Sequence, residues 1–249
     1  EYNLCCSDID TNEEWLEHLD FRDSLQYQSS VKKFNPDYLF HIGAHTDLEY
    51  CERNVDDAYL TNTISVDHAI NISNELSIPL LYISTAGIFD GSKQEYNDWD
   101  IPNPISVYGK SKYYSEVNIA RLSKDYIILR AGWMMGGGIN KDKKFVNKII
   151  KQILNGNKEL FIVDDKLGTP TYTFDFASNA KLILENNLKG LFNLVCQGNT
   201  SRLEVAHEIL KILNIENKIR ITKVKSTYFQ KDYFVARPQS ENLINYKLQ

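Results

Sequence analysis

Tyr108 and Lys112 stand four residues apart in the stretch Ser106-Val-Tyr-Gly-Lys-Ser-Lys-Tyr-Tyr-Ser-Glu116. On a helix that spacing puts both side chains on one face. Some twenty residues upstream, Leu80-Leu-Tyr-Ile-Ser-Thr85 is an apolar run that ends in two hydroxyls. It predicts a buried strand that delivers Ser84 and Thr85 to its carboxyl end, where α/β sheets build their sites. A helix bearing a phenol and an ammonium, following a strand tipped with hydroxyls, limits the chain to an α/β layout with a site at one end of its sheet.

The residue types suit proton transfer coupled to a carbonyl. A free phenol titrates near ~10, too high for work at neutral pH unless its phenolate is stabilised. An ammonium about 4 Å away supplies on the order of a few kcal/mol at an effective dielectric of ~20. Tyr108 could then exchange a proton with a substrate oxygen, while Thr85 or Ser84 hydrogen-bonds that same oxygen. Strand-Ser-Thr followed by Tyr-x-x-x-Lys resembles the short-chain dehydrogenase/reductase superfamily. The bland alternative is a helix carrying one Tyr and one Lys beside a hydroxyl-ended strand.

The rest of the chain fits such a fold. At 249 residues and 43% hydrophobic it can bury one large core or two small ones. Its net charge is −5 with no basic block, which argues against nucleic acid or an anionic membrane as partner. No apolar run approaches the ~18 residues of a membrane span, and no signal peptide opens the sequence, so a soluble cytoplasmic protein is expected. Cys5, Cys6, Cys51 and Cys196 lack metal-ligand spacing, and reduced thiols are expected.

In chain order, a short strand is expected to end at Asp8. That carboxylate could bond the ribose of a dinucleotide or cap a helix. Leu19-Asp20-Phe21 is predicted as the next strand, then a helix through 29–33, then a strand over Pro36–Ala44 ending in small residues that let a cofactor approach. The apolar stripe of Asn54–Leu76 predicts one sheet-covering helix. Asp125–Leu129 reads as a strand and Arg130–Gly138 as a mobile substrate loop. Further on we expect a helix over Phe145–Leu154, a strand over Glu159–Val163, a loop over Lys166–Thr171 and a helix over Phe174–Leu184. A strand over Gly190–Val195, a helix from Ser201 with Glu204 completing a capping box, and a last strand over Ile219–Val224 follow. Strands alternating with helices predict a Rossmann-type, doubly wound parallel sheet with a smaller C-terminal α/β substrate-binding region. The expected boundaries are 1–132 for the dinucleotide domain, with 164–190 returning to it, and 133–163 plus 191–249 for the substrate domain.

The first glycine is Gly43. In a dinucleotide fold the ribose-binding acid follows a Gly-rich turn by roughly 20 residues, and here the acid stands at position 8. The first βα unit is therefore expected to lie before Glu1.

Several stretches in one order are similar to dTDP-4-dehydrorhamnose reductases, members of the extended branch of that superfamily. They are His41-Ile-Gly-Ala-His-Thr-Asp-Leu-Glu-Tyr-Cys-Glu52, Tyr82-Ile-Ser-Thr-Ala-Gly-Ile-Phe-Asp-Gly91, Val107-Tyr-Gly-Lys-Ser-Lys112, Leu129-Arg-Ala-Gly-Trp133, Val163-Asp-Asp-Lys-Leu-Gly-Thr-Pro-Thr171 and Ala236-Arg-Pro238. The resemblance implies a reductase of a nucleotide-linked 4-keto-deoxysugar that uses NADPH or NADH and serves surface-polysaccharide synthesis. It implies Thr85, Tyr108 and Lys112 as the catalytic trio. Asp8, Asp20, Phe21, Gly43, Ala44 and His45 would line the cofactor together with Tyr108 and Lys112. Thr46, Leu48, Ser84, Trp133 and Arg237 would face the sugar nucleotide. A homodimer is compatible with it, and no metal is implied. Trp133 could equally pack in a core, and Arg237 could equally form a surface ion pair.

Two departures stand out. The family has Asp and Tyr after the strand's Ser-Thr, where this chain has Ala86 and Gly87, and it carries Gln and Gly around Lys166-Leu167-Gly168. They leave open which nucleotide and sugar are used. Two other readings stay open at this point: an epimerase or dehydratase with bound NAD, and a non-catalytic dinucleotide-binding regulatory subunit.

Overall fold

The structure, a computed structural model, describes residues 2–138, 142 and 144–249. The chain forms two compact units. One comprises Glu1–Ser84, Ser106–Leu129 and Leu188–Leu191; the other comprises Thr85–Ile105, Arg130–Asn187 and Phe192–Gln249. Strands within residues 164–187 pair with strands of the second unit.

The chain opens with strands β1 (Cys6–Asp8) and β2 (Leu16–His18), helix α1 (Ser24–Phe34) and β3 (Leu39–His41). Next come α2 (Leu48–Arg53), α3 (Val55–Tyr59), a π-helical turn (Leu60–Ile64), α4 (Ser65–Leu76) and β4 (Leu80–Thr85). Helix α5 (Val107–Leu122) leads into β5 (Tyr126–Ala131), β6 (Trp133–Met135), α6 (Phe145–Leu154) and β7 (Glu159–Val163). The remainder is β8 (Leu167–Gly168), β9 (Pro170–Tyr172), α7 (Thr173–Glu185), β10 (Gly190–Asn193), β11 (Thr200–Ser201), α8 (Arg202–Ile212), β12 (Arg220–Val224) and β13 (Ser240–Glu241). No helix among the described residues is long and apolar enough to cross a membrane.

In the first unit β1 pairs parallel with β2, and β3 pairs parallel with β4 in a sheet of order β10-β5-β4-β3. Parallel strands joined through helices make this the Rossmann-type α/β fold that the sequence predicts. Local chemistry sets the ends of its helices. Asp23 caps α1 by accepting from the Leu25 and Gln26 amides, and Asn35 closes it in the left-handed region at φ 52° just before Pro36. Ser77 (φ 56°) ends α4 in the same way, and Pro79 follows it. Helix α4 packs against α1 and α5. Beneath them lie Val31, Leu39, Val66, Ile70, Leu80, Tyr82, Ile119 and Ile128, all buried. Each such side chain contributes about 1.5–3 kcal/mol of transfer free energy.

Two local expectations are corrected here. Leu19-Asp20-Phe21 is not a strand: β2 ends at His18, and Asp20 turns the chain by accepting from the Arg22 amide at 3.0 Å. Asn54–Leu76 is not one helix. It widens into the π-turn where polar side chains find partners off the helix: Asn62 bonds His45 and Ser111, and Thr63 donates to the Ser111 carbonyl at 2.9 Å.

The second unit is organised by β7 and β12, parallel over five residue pairs from Glu159↔Arg220 to Val163↔Val224. Helices α6 and α8 cover a core of Ile149, Leu160, Ile162, Ala206, Leu210 and Ile219. Helix α8 starts with the predicted capping box, the Ser201 hydroxyl and Glu204 carboxylate each satisfying the other's backbone amide. Arg130–Gly138 is not a loop throughout: β5 runs to Ala131, and Trp133–Met135 pairs parallel with β9. Gly132 permits the close approach, since a Cβ there would lie 2.5 Å from the Thr169 carbonyl oxygen. Residues 139–141 and 143, next to the expected loop, lie outside the described residues. Lys166–Thr171 likewise carries two strands, β8 joining β11 and β13, and β9 joining β6. Ile219–Val224 is followed by one more strand, β13.

Candidate active site

The first unit holds Tyr108 and Lys112 on α5. Ser106 caps that helix, its hydroxyl accepting from the Gly109 amide at 3.1 Å. One turn beyond Tyr108, Lys112 is buried, and its Nζ donates to the Ile83 carbonyl of β4 at 2.7 Å. The same ammonium lies 4.1 Å from the Tyr82 ring centroid. Burial pulls Lys112 down to about 7, and Glu116 pulls the other way. Next along β4, Ser84 is buried with its Oγ unpartnered among the described residues. A buried hydroxyl left without a partner is costly, and it fits a site whose partner arrives with a ligand.

The residues expected around the cofactor form two linked groups at the carboxyl ends of β1–β3. Arg22 clasps Asp20 with Nε on Oδ1 (2.9 Å) and Nη2 on Oδ2 (2.7 Å), and it reaches Asp57 at 3.2 Å. The Arg22 hydrogen bond holds the Asp20 carboxyl below its ordinary range. Asp57 also accepts from the Tyr50 hydroxyl at 2.8 Å and lies 2.9 Å from His45 Nε2. Tyr50 first, then His45 and Arg22, hold the Asp57 carboxyl low. Asp20 and His45 are thus tied into one charged network.

Phe21 and Gly43 form the second group. The Phe21 ring lies so close that a Cβ on Gly43 would come within 2.3 Å of it. The ring also leans on His41, with centroids 4.9 Å apart. Ala44 follows, half-buried, while Thr46 is exposed beside Asp47, the cap of α2, and Leu48 opens that helix. Asp8 is exposed at the end of β1; its Oδ1 accepts from the Asp10 amide at 3.0 Å.

His41 anchors this end of the sheet from beneath. It is buried, with Nδ1 3.1 Å from the Tyr27 hydroxyl and Nε2 3.2 Å from Ser65 Oγ. Ser65 gives its own proton to the Thr61 carbonyl at 2.6 Å. The ring is therefore assigned with the proton on Nε2, donating to Ser65, while Nδ1 accepts from Tyr27. Burial holds His41 down to about 3, with Lys112 and His68 adding to the effect.

The second unit holds the other three expected residues. Thr85 Oγ1 accepts from the Gly87 amide at 3.1 Å, opening a short 3₁₀ turn through Ala86–Ile88. Trp133 is largely buried. Its Nε1 donates to Glu241 at 2.8 Å, its edge presses on Gly168, and the Arg202 guanidinium lies 4.1 Å over its ring. Arg237 donates Nη1 to the Val235 carbonyl at 2.9 Å and lies 5.2 Å over the Tyr233 ring. A separate cavity of about 310 Å³ in this unit is lined by Thr171, Asp175, Phe176, Asn179, Cys196 and Asn245 among others, and by none of the expected site residues.

Sequence reasoning missed Arg22, Asn62 and Arg202. Asn62 is one of four asparagines in 54–76, so residue type alone did not single it out. Its side chain accepts from the His45 amide at 2.8 Å, donates back to the His45 carbonyl at 3.0 Å and donates to Ser111 Oγ at 3.0 Å. Ser111 in turn donates to the Tyr108 carbonyl at 2.8 Å. One amide thus joins the segment after β3 to the helix of Tyr108.

Residues 7–249 match the family model described as the RmlD substrate binding domain. The chain is similar to the spore coat polysaccharide biosynthesis protein SpsK of Bacillus subtilis, 32% identical over 81% of this chain and 70% of that protein. It is 29% identical to a dTDP-4-dehydrorhamnose reductase of Sinorhizobium fredii, over 74% of this chain and 64% of the relative. The match thus spans roughly two thirds of these relatives. Among solved structures, the dTDP-4-dehydrorhamnose reductase of Bacillus anthracis in complex with NADP is similar, at 28% identity and a TM-score of 0.86 over 92% of this chain and 79% of that one.

Proposed function

This chain belongs to the RmlD substrate-binding domain family, and we propose that it acts in an NAD(P)H-dependent reductase of a nucleotide-linked 4-keto-deoxysugar. The observation that carries the reading is the buried Lys112 ammonium, 2.7 Å from the end of β4 and one helical turn from Tyr108. A cation so placed stabilises the phenolate left when the Tyr108 hydroxyl gives its proton to the substrate oxygen, and water then reprotonates Tyr108. Ser84, whose buried hydroxyl has no partner among the described residues, donates to that oxygen. Reduced nicotinamide, when bound, supplies hydride to the adjacent carbon.

The residues fit that cofactor. Asp8 offers an exposed carboxylate to a ribose. Ser84 offers an unsatisfied hydroxyl. The dTDP-4-dehydrorhamnose reductases among the relatives, one of them solved with NADP, support a dTDP-linked substrate and NADPH. SpsK supports a role in polysaccharide synthesis. Cytoplasm is the compartment that goes with this chemistry. A homodimer through the exposed apolar side chains of Val55, Leu60, Ile64 and Tyr114 is part of the proposal; light scattering of the purified protein tests it.

The test is to mix the protein with NADPH and dTDP-4-dehydrorhamnose and follow nicotinamide oxidation with product mass. Stoichiometric oxidation with gain of two hydrogens by the sugar is expected. Nucleotide binding with no oxidation would reject the reductase in favour of a binding protein.

A further inference from the structure

We propose that Arg202, held between the rings of Trp133 and Phe145, is a recognition residue for the diphosphate of the nucleotide-linked substrate. Arg202 is the first residue of α8. Its guanidinium lies 4.1 Å from the Trp133 ring centroid and 4.8 Å from that of Phe145. Two aromatic faces fix the plane of the fork and strip water from it, at a site that already ties up the neighbouring carboxylate: Glu241 accepts the Trp133 indole proton at 2.8 Å.

Arg202 has these ring contacts and no hydrogen-bond acceptor among the described residues. Its donors are therefore held in place and unspent. The helix end beneath it is not in need of an anion, because Ser201 and Glu204 already satisfy each other's amides. The need for an acceptor belongs to the guanidinium itself.

The local charge points to an anion. Burial lowers the affinity of Arg202 for its proton, Glu241 offsets this, and Arg237 adds to it. Lys166 brings a further cation to the same strand ends by donating Nζ to the Arg237 carbonyl at 2.8 Å. Arg202 thus feels both a second guanidinium and a carboxylate that is itself bonded to an indole. A planar, desolvated fork beside a second guanidinium suits the paired oxygens of a diphosphate better than a single carboxylate.

The inference rests on the reading above, and calorimetry on the full chain separates the two. The probes are dTDP, UDP and inorganic pyrophosphate, with NADPH as control. Arg202→Gln is expected to weaken dTDP and pyrophosphate by about tenfold or more, the loss of a charged hydrogen bond, with NADPH affinity within about twofold. Arg202→Lys, which keeps the charge and loses the fork, is expected to fall between and serves if the first variant does not fold. A purely structural role would lower the unfolding temperature and leave the dTDP affinity of folded protein unchanged, and that result overturns the inference. Wild-type protein that binds none of the diphosphates would sink the reductase reading and the inference with it. Tight wild-type binding with unaltered variants sinks the inference alone.

Discussion

Lys112 donates its ammonium to the main-chain oxygen of Ile83 at 2.7 Å, from a buried position one turn along α5 from Tyr108. The bond anchors the helix to the strand that ends in Ser84 and Thr85, and it fixes the cation before any ligand enters. Burial draws Lys112 down to about 7, far below its ordinary value. Below about 7 folded and unfolded chains both carry the proton, and the burial penalty is full. From there up to the unfolded value near ~10.5 only the unfolded chain keeps it, so this group's contribution to stability rises with pH. Wild type is therefore expected to gain on Lys112→Met between about pH 6 and about pH 9, read by urea unfolding of both proteins. Parallel stability profiles would show that Lys112 titrates normally.

His41 gives a slope of the same sign on the acid side. Its ring is enclosed by Tyr27, Ser65, Phe21 and Tyr82, with Lys112 and His68 as the charged neighbours. Its folded value of about 3 lies below the unfolded value of ~6.5. The stability it contributes is whole above about 6.5 and drains away as pH falls toward about 3, because the unfolded chain takes up the proton first. His41→Gln should flatten this part of the acid profile. An unchanged slope in that variant would assign the acid loss to other groups.

The Asn62 amide makes three hydrogen bonds, to both backbone groups of His45 and to Ser111. Asn62→Ala leaves those groups unpaired and should cost about 1–3 kcal/mol of stability. It should also raise the Kd for NADPH several-fold, because His45 belongs to the segment expected to line the cofactor. Asn62→Asp retains one acceptor and loses both donors, so it should fall between wild type and Ala. Equal NADPH affinity in all three would reduce Asn62 to a structural role.

Core packing of the second unit is tested at Leu160, which is fully buried in β7. Leu160→Ala should destabilise by about 2–5 kcal/mol, the loss of transfer free energy plus the cavity left behind. Unfolding in urea reads the change, and a loss under about 1 kcal/mol would mean that the core around β7 is loosely packed.

Much of the fold was legible because it rests on local signals. The apolar run Leu80–Thr85, the stripe of Phe145–Leu154 and the Ser201–Glu204 capping box each encode their own element. What escaped depends on distant partners. Trp133–Met135 reads as loop until Pro170–Tyr172 lies beside it, and Gly168 is explained only by the indole that presses on it. The π-turn at Leu60–Ile64 exists because Asn62 and Thr63 bond residues far along the chain, which no helical periodicity records. At the site, Tyr108 and Lys112 were readable from spacing. Arg22, which organises Asp20 and Asp57, was not, since two of its carboxylate contacts come from a residue 35 positions away or from a turn.

The central claim is that Tyr108 is the proton donor whose phenolate Lys112 favours. Its most direct test is the turnover of Tyr108→Phe with NADPH and dTDP-4-dehydrorhamnose, measured beside the NADPH affinity of the same variant. The account predicts a fall in kcat of about 10²–10⁴-fold with NADPH Kd within a few-fold of wild type. Turnover retained within about tenfold would contradict it.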